Sequence, residues 1–513
     1  MLSAKRRPIF AAGLILTVAA AIALRALPIA AWPLWLDESW SRWLAEMDWQ
    51  GLRDSTARYD THPPFYYSLL KLWLGVAPHT PEGLRLLSVL AGLAMLPLAW
   101  ICASRVEALR RAPALRLGCA ALVAVSPPLV VAAHQARPYA LFALAFALAL
   151  WAALRLLKAE PEGRRPWALW IGFGFALEAV LWLHNLGMLF AAALSGALFV
   201  ALWREGRLRR HFVPLAGVHL VCGLAFLPHF AAMIEQRQAW QSGWLRFVPG
   251  DVPDGLASGL AMPGAGAVPL FAAAGFGAAA LLRDKDDRGA GLILAAAAFL
   301  PAMLALGIST VSTPVFLPRT LVPSALPLIL LAAAGLAQVR SAAPRGAAVA
   351  AMLLLAGIAS AGEAQRPPEE KWDGIAAWVE PRMAPGDEVW LLPNEIVLPL
   401  GFAAPQTISR LKPRGIPADF PAPQHRGPRY SGTPAVPGLT EADVRRLVGE
   451  ARGRGARGVW VVSRFPKLFD PGGALAASLG AGDAGSGTAF APIGIRHYRL
   501  DRDQTRGERA NKP

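Results

Sequence analysis

Charge is what this chain has little of. Asp, Glu, Lys and Arg make up 17 % of its 513 residues, where a soluble domain carries about a quarter. Hydrophobic residues make up 55 %. That balance excludes an ordinary soluble globule. The apolar surplus also comes in blocks of roughly 18–22 residues, the length that crosses a bilayer core. Cysteine is scarce too. Cys102, Cys119 and Cys222 lie in or beside apolar segments at no metal-like spacing, so they read as small buried hydrophobes. The C-terminal part has no cysteine and needs no disulfide. A long basic stripe is absent as well. The formal net charge is +16, but the cations sit in short loops, which argues against nucleic-acid binding and for a topology signal. No internal repeat is visible.

What is there is a series of about eleven apolar stretches, at roughly 9–28, 84–104, 117–133, 139–157, 167–183, 186–203, 212–230, 256–282, 289–309, 320–338 and 346–362. The first follows Lys5, Arg6 and Arg7, as a secretory signal would, but it is long for a signal core and reads as a retained span. Basic residues gather before 9, after 104 (Arg105, Arg110, Arg111, Arg116) and after 157 (Lys158, Arg164, Arg165). They gather again after 203 (Arg204, Arg207, Arg209, Arg210), after 282 (Arg283, Lys285, Arg288) and after 338 (Arg340, Arg345). Every second loop is basic, so by the positive-inside rule those ends and the N-terminus are cytoplasmic. The residues 29–83, 134–138, 184–185, 231–255, 310–319 and everything after 362 then lie outside. This alternation closes only if Pro63–Ala77 does not cross. That stretch is too short for an upright span and reads as a helix at the outer interface, where Tyr66, Tyr67 and Trp73 are at home.

From Glu363 the composition shifts to Pro, Gly and charge. Residues 387–393, 458–465 and 495–500 read as strands, and 440–455 as an amphipathic helix with Thr440 as N-cap. The expected organisation is an all-α polytopic membrane domain, 1–362, with a first outer loop at 29–83. A small α/β domain on the extracytoplasmic side follows, 363–513. Residues 402–438 read as a long loop and the last dozen as a disordered tail.

Three features could carry chemistry. The first outer loop holds the adjacent acids Asp37 and Glu38, then Asp60 and His62 locked against Pro63–Pro64. A simpler reading makes Asp37 and Glu38 caps of an interfacial helix. Arg137, just before Pro138–Tyr139, lies at the outer end of a span, and Arg319, between Pro318 and Pro323, enters another. Each either anchors the interface by snorkelling or grips a phosphate in fork geometry. His184–Asn185 also face outward, and Trp240, Trp244 and Phe247 suit a lipid-facing or sugar-stacking surface. Carboxylates and arginines thus converge on one face. A transfer from a lipid phosphate to a hydroxyl or amine needs such groups: a base for the acceptor and cations for the leaving phosphate.

The order LDES, DTHPPFYY, an Arg–x–Tyr block and a proline-punctuated late helix with Arg319, Pro323 and Pro327 resembles the GT-C glycosyltransferases. More specifically, it is similar to bacterial members of family 39 and the dolichyl-phosphate-mannose–protein mannosyltransferase-like group, relatives of the lipid A aminoarabinose transferases. The segment 82–93, with Arg85, looks like the family's helix after the His-Pro-Pro block. The resemblance covers about residues 30–335. It implies an inverting glycosyltransferase in a bacterial inner (plasma) membrane, acting on the outer face. The donor would be a polyprenyl-phosphate-linked sugar and the acceptor a protein, lipid or glycan. It implies Asp37 as catalytic base, with Glu38 assisting or binding acceptor. Arg137 and Arg319 would hold the lipid phosphate, with Asp60, His62 and Tyr139 in the substrate site. Where relatives often carry Glu two residues before the arginine, this chain has Gln135, which puts a second acid in doubt. Some GT-C enzymes use a divalent metal and others do not. Asp37, Glu38 and Asp60 offer oxygen ligands for a divalent metal, and no cofactor is fixed by the sequence.

Two rivals stand beside this reading. A multi-pass transporter or flippase would place polar residues near the middle of several spans, where Glu178 is the clear example. A non-catalytic envelope-assembly protein would leave Asp37 dispensable.

Overall fold

The computed structural model describes residues 7–60, 62–158, 166–235, 247–366, 370–421, 439–480, 482–484 and 490–500. Helix α1 (Arg7–Ala26) leads to three shorter helices, α2 (Leu36–Glu46), α3 (Trp49–Tyr59) and α4 (Phe65–Leu74). Then come α5 (Pro81–Ala103), α6 (Pro113–Ala124), α7 (Pro127–Ala133), α8 (Tyr139–Lys158), α9 (Trp167–Leu183), α10 (Gly187–Arg204) and α11 (Leu208–Glu235). These are followed by α12 (Val252–Leu260), α13 (Val268–Arg283), α14 (Arg288–Val311), α15 (Ala325–Ala337) and α16 (Ala342–Gln365).

Among the described residues, nine helices are long and apolar enough to cross a membrane, and α6 with α7 adds a tenth if the bent pair is one span. Helix α9, with 17 residues, is shorter but equally apolar. Together they occupy the eleven expected stretches, and the chain is a multi-pass membrane protein. Helix α4 has 10 residues, a rise of about 15 Å, half of what a crossing needs.

Two expected spans are interrupted. The stretch 256–282 is not one helix: α12 stops at Leu260 and α13 starts at Val268. Pro263 has no N–H to continue the first helix, and Gly264 takes a positive φ of 68°, which breaks the helical path. The stretch 117–133 bends by 50° between α6 and α7. The physical cause is Pro127–Pro128. Neither can donate to the carbonyl four residues back, so Val123 and Ala124 lose their helical partners. Arg25, fully buried inside α1, supplies the replacement. Its Nη2 donates to the Val123 carbonyl at 2.8 Å and its Nη1 to the Ala124 carbonyl at 2.5 Å. Ser360 of α16 donates to the carbonyl of Val125 at 2.8 Å. A broken helix inside a bilayer persists only where protein groups take over its carbonyls, and a buried arginine is stable among such dipoles. Elsewhere small residues set the spacing. A methyl on Gly277 of α13 would collide with the Leu331 carbonyl of α15, and one on Gly335 with the Ala273 carbonyl, so glycine permits this close crossing. All three cysteines are buried.

The chain divides into two compact units. One contains α1 and everything described from α4 to α16; the other contains residues 32–59, with α2 and α3, and the chain beyond 366. The second unit is built on a five-stranded sheet of order β2-β1-β3-β5-β4. Its strands are β1 (Asp387–Leu392), β2 (Arg414–Gly415), β3 (Gly458–Arg464), β4 (Asp483–Ala484) and β5 (Ile493–Arg499). Strand β1 runs parallel to β2 and β3, whereas β5 is antiparallel to β3 and β4. Period-two alternation puts Trp390, Leu392, Val459 and Val461 on one face. There they pack with Val444 and Leu447 of the helix Glu441–Gly453. Val389, Leu391, Trp460 and Val462 line the other face with Trp372 and Ile375. Thr440 caps the helix as expected, accepting from the Asp443 N–H at 3.1 Å.

The expected loop 402–438 is partly ordered into regular structure. Helices Val397–Ala403 and Pro405–Leu411 and strand β2 fall at its start, because Pro405 opens a helix at N1 and Arg414–Gly415 finds β1 to pair with. Its remainder from 422, Trp240 and Trp244, and the polar tail lie outside the described residues. Phe247 is described just before the turn at Pro249–Asp251.

Helix α2 packs within this second unit through its aromatic side chains. The rings of Trp40 and Trp43 meet Phe420 edge-on at 5.5 and 4.9 Å, and the Arg42 guanidinium lies 4.2 Å over Phe402.

Candidate functional site

In the first unit, the site begins with a local motif. His62 precedes Pro63, which holds its backbone extended. The Asp60 carboxylate accepts the His62 N–H at 2.9 Å, an Asx turn that needs only two residues of chain. The same Oδ1 lies 3.0 Å from His62 Nδ1. Tyr67, one turn into α4, donates to Asp60 Oδ2 at 2.6 Å, and Asp60 is buried. Helix α4 therefore carries one wall of the site as well as its own apolar face.

Arg137 sits in the turn between α7 and α8, and Pro138 behind it opens α8. It is buried, and its Nη1 reaches the Tyr67 hydroxyl at 3.5 Å. Tyr67 thus joins the Asp60–His62 motif to the arginine. Arg319 lies in the 3-10 stretch Pro318–Ser324 before α15, with its guanidinium 6.0 Å from the centre of the Tyr139 ring. Gly259 of α12 lets that stretch approach closely, since a side chain there would strike the Pro318 carbonyl.

His184 stands at the centre. It ends α9, and its ring meets His62 edge-on at 5.3 Å, Tyr139 at 5.9 Å and Phe142 in a stack at 5.6 Å. Burial pushes its pKa well below the ordinary histidine value, and the charges of His62, Arg137 and Arg319 push it further the same way. Its Nδ1 accepts the Leu186 N–H at 3.1 Å, which only a ring unprotonated at that nitrogen can do. Hydrogen bonding and electrostatics agree on a neutral ring with Nε2–H as donor. The charges that lower its pKa are cationic, and the Asp60 carboxylate beside His62 is the acid of the group. Guanidiniums and a neutral donor suit an anion. Beside it, Asn185 Oδ1 lies 2.8 Å from His229 Nε2.

Asp60, His62, Arg137, Tyr139 and Arg319 are thus brought together in one unit. The group includes two residues that the sequence motifs did not single out as site residues, Tyr67 and His184. The signal for His184 was a His–Asn pair wedged between two apolar runs. Arg85 acts within the scaffold, where its Nη1 donates to the Ile29 carbonyl at 2.7 Å. At the Gln135 position, the backbone carbonyl accepts from Ser88 at 2.6 Å.

Asp37 and Glu38 belong to the second unit, in the first turn of α2. Acids there are favoured by the exposed N–H groups of the helix start. Glu38 is buried and takes the capping part that the simpler reading gave the pair, accepting the Trp35 N–H at 3.4 Å. Asp37 is half-buried beside it. Among the described residues, no group of three or more His, Cys, Asp or Glu is arranged to hold a metal ion.

Glu178 and Arg25 are charged residues inside spans. Glu178 accepts from Trp182 one turn on at 2.6 Å. Arg25, which the hydropathy pattern hides inside the first span, serves the broken helix.

An all-helical, multi-pass first unit and a small mixed sheet later in the chain can be compared with solved structures. The structure is similar to the crystal structure of ArnT from Cupriavidus metallidurans bound to undecaprenyl phosphate. The TM-score is 0.61 at 16 % identity, over 95 % of this chain and 98 % of that one. The apo form of that protein matches with a TM-score of 0.60 at 15 % identity, over 95 % and 97 %. A looser likeness joins the archaeal oligosaccharyltransferase AglB from Archaeoglobus fulgidus, in complex with an inhibitory peptide and a dolichol-phosphate. Its TM-score is 0.52 at 12 % identity, over 90 % of this chain and 70 % of that one. No family model and no curated protein matches the sequence. At these identities the likeness is one of fold.

Proposed function

We propose that this protein moves a sugar from a polyprenyl-phosphate carrier to an acceptor at the extracytoplasmic surface of a bacterial plasma membrane. The observation that carries the proposal is the cation-rich group around neutral His184, within a fold shared with a protein crystallised on undecaprenyl phosphate. The loop alternation supports an outward-facing site and a periplasmic C-terminal domain.

The reaction needs few parts. Asp37 takes the proton of the acceptor hydroxyl or amine. The acceptor atom bonds to the anomeric carbon from the side opposite the carrier, the bond from that carbon to the phosphate oxygen breaks, and the configuration inverts. The lipid phosphate leaves with the electron pair, and Arg137 and Arg319 hold its charge in fork geometry. His184 Nε2–H adds a neutral donor, and Asp60 with Tyr67 keeps His62 and Arg137 in place. Glu38 holds the start of α2.

Mass spectrometry of envelope glycans and lipids, with and without this protein, tests the proposal. A sugar-bearing product that disappears with the protein and stays absent with Asp37→Asn supports it. An unchanged envelope, or full restoration by an Asp37→Asn chain inserted at normal levels, refutes it and favours an assembly role.

A further inference from the structure

Helix α2 has an unusual beginning. Its N-cap position is Trp35, whose side chain offers no oxygen, and no side-chain cap bond forms there. The N–H of Leu36, first residue of the helix, has no partner within the helix. It is satisfied from far along the chain: Glu370 Oε2 accepts it at 2.9 Å. The same oxygen accepts the indole N–H of Trp372 at 3.0 Å, and Oε1 accepts Arg464 Nε at 2.7 Å. The Glu370 side chain is 4 % exposed and that of Arg464 16 %. One buried carboxylate therefore ties together the start of α2, the start of the helix Trp372–Val379 and the end of β3.

We infer that Glu370 is a positioning residue: through the Leu36 N–H, the C-terminal domain sets the place of the turn that carries Asp37. The inference rests on the reading of Asp37 as base. It gives the C-terminal domain a part in transfer. Three donors of fixed direction converge on one carboxylate, so its two oxygens have little freedom to follow a drifting helix. Asp37 is the next residue after Leu36, and a shift of the first turn moves its carboxylate by the same amount. Displacements of about 1 Å at reacting groups cost up to about a hundredfold in rate.

The test uses the whole chain in lipid nanodiscs, with nitroxide labels at Glu46→Cys in α2 and Arg445→Cys in the helix Glu441–Gly453; the native cysteines are buried and out of reach. Two variants break the link from opposite ends. Glu370→Ala removes the acceptor. Leu36→Pro removes the donor together with the buried Leu36 side chain, with Leu36→Ala as the control for the side chain alone. Proline is favoured at the first helical position, and Trp35, at φ −80° and ψ 173°, already has the extended backbone that must precede it. Both are expected to broaden the label-to-label distance distribution, and the double variant to broaden it no further. Glu370→Gln, which keeps an acceptor for Leu36, is expected to restore most of the sharp distribution. For the envelope product identified by the mass comparison, kcat in native membranes is expected to fall about tenfold to a hundredfold in both single variants. KM for the donor should stay within about twofold, since the donor's phosphate is held elsewhere. An unchanged distance distribution in a folded Glu370→Ala chain, or in Leu36→Pro, overturns the inference. A broadened distribution with full turnover keeps Glu370 as the anchor of α2 and removes Asp37 from the chemistry instead.

Discussion

Two polar groups, one in each unit, are fixed in opposite ways. In the first, Asp60, His62 and Tyr67 lie within eight positions of one another, and an Asx turn and one turn of helix bring them together. In the second, the first turn of α2 depends on Glu370, 334 residues away. A site held by local chain geometry survives changes elsewhere in the molecule. A site held by a distant carboxylate can be lost through a domain that touches no substrate. The Asp60–His62–Tyr67 wall beside Arg137 belongs to the first kind and the turn that carries Asp37 to the second.

Substitutions can separate the two groups. The largest effect is expected for Asp37→Asn, which keeps shape and removes the base. Turnover should fall by about 10²–10⁴-fold while insertion and donor binding stay normal, as measured by product mass and by lipid retention. Tyr67→Phe comes next. It deletes a hydrogen bond to the Asp60 carboxylate worth about 1.5–3 kcal/mol and slackens the Arg137 wall. Its effect should appear in KM for the donor more than in kcat, the reverse of Glu370→Ala.

Arg25→Leu leaves the Val123 and Ala124 carbonyls without partners, at about 1–3 kcal/mol each, offset in part by no longer burying a charge. A net loss of about 1–3 kcal/mol in thermal unfolding is expected. Replacing Pro127 and Pro128 by Ala gives those carbonyls back their helical donors, so the same Arg25 change should cost less in that background. An equal cost in both would break the link between the prolines and the arginine.

The smallest effect is that of pH on His184. Its folded pKa lies well below the ordinary 6.5, because burial and neighbouring cations oppose its charging. The unfolded chain therefore binds the proton first as pH falls. The stability held by the neutral ring is complete above 6.5 and drains away below it, toward the folded value. Melting temperature should drop from pH 7.5 to 5.5 in the native chain, and drop less in His184→Gln.

Much of this was legible in the sequence, for reasons that differ along the chain. The spans were, since a bilayer demands a fixed apolar length. The Asp60–His62–Pro63 motif was, since its geometry is local. So were β1, β3, β5 and the Thr440-capped helix, whose periodicities and caps are local too. The breaks at Pro127–Pro128 and at Pro263–Gly264 were visible as prolines, but whether a proline kinks or ends a helix depends on what takes over its carbonyls. For the first break that is Arg25, a hundred residues earlier, and hydropathy averages such an arginine away. His184 gave a faint signal, because its neutrality follows from the cations the fold gathers around it. Glu370 gave none: one acid in a Pro- and charge-rich stretch carries no mark of the helix it caps.

In the proposed reaction Arg137 and Arg319 grip a lipid phosphate. Native mass spectrometry of the whole chain with undecaprenyl phosphate tests this directly. The native chain and Asp37→Asn are expected to retain the lipid equally, and Arg137→Ala with Arg319→Ala to lose at least about tenfold in affinity. Equal retention by the double arginine variant, folded and inserted as the native chain, would contradict it.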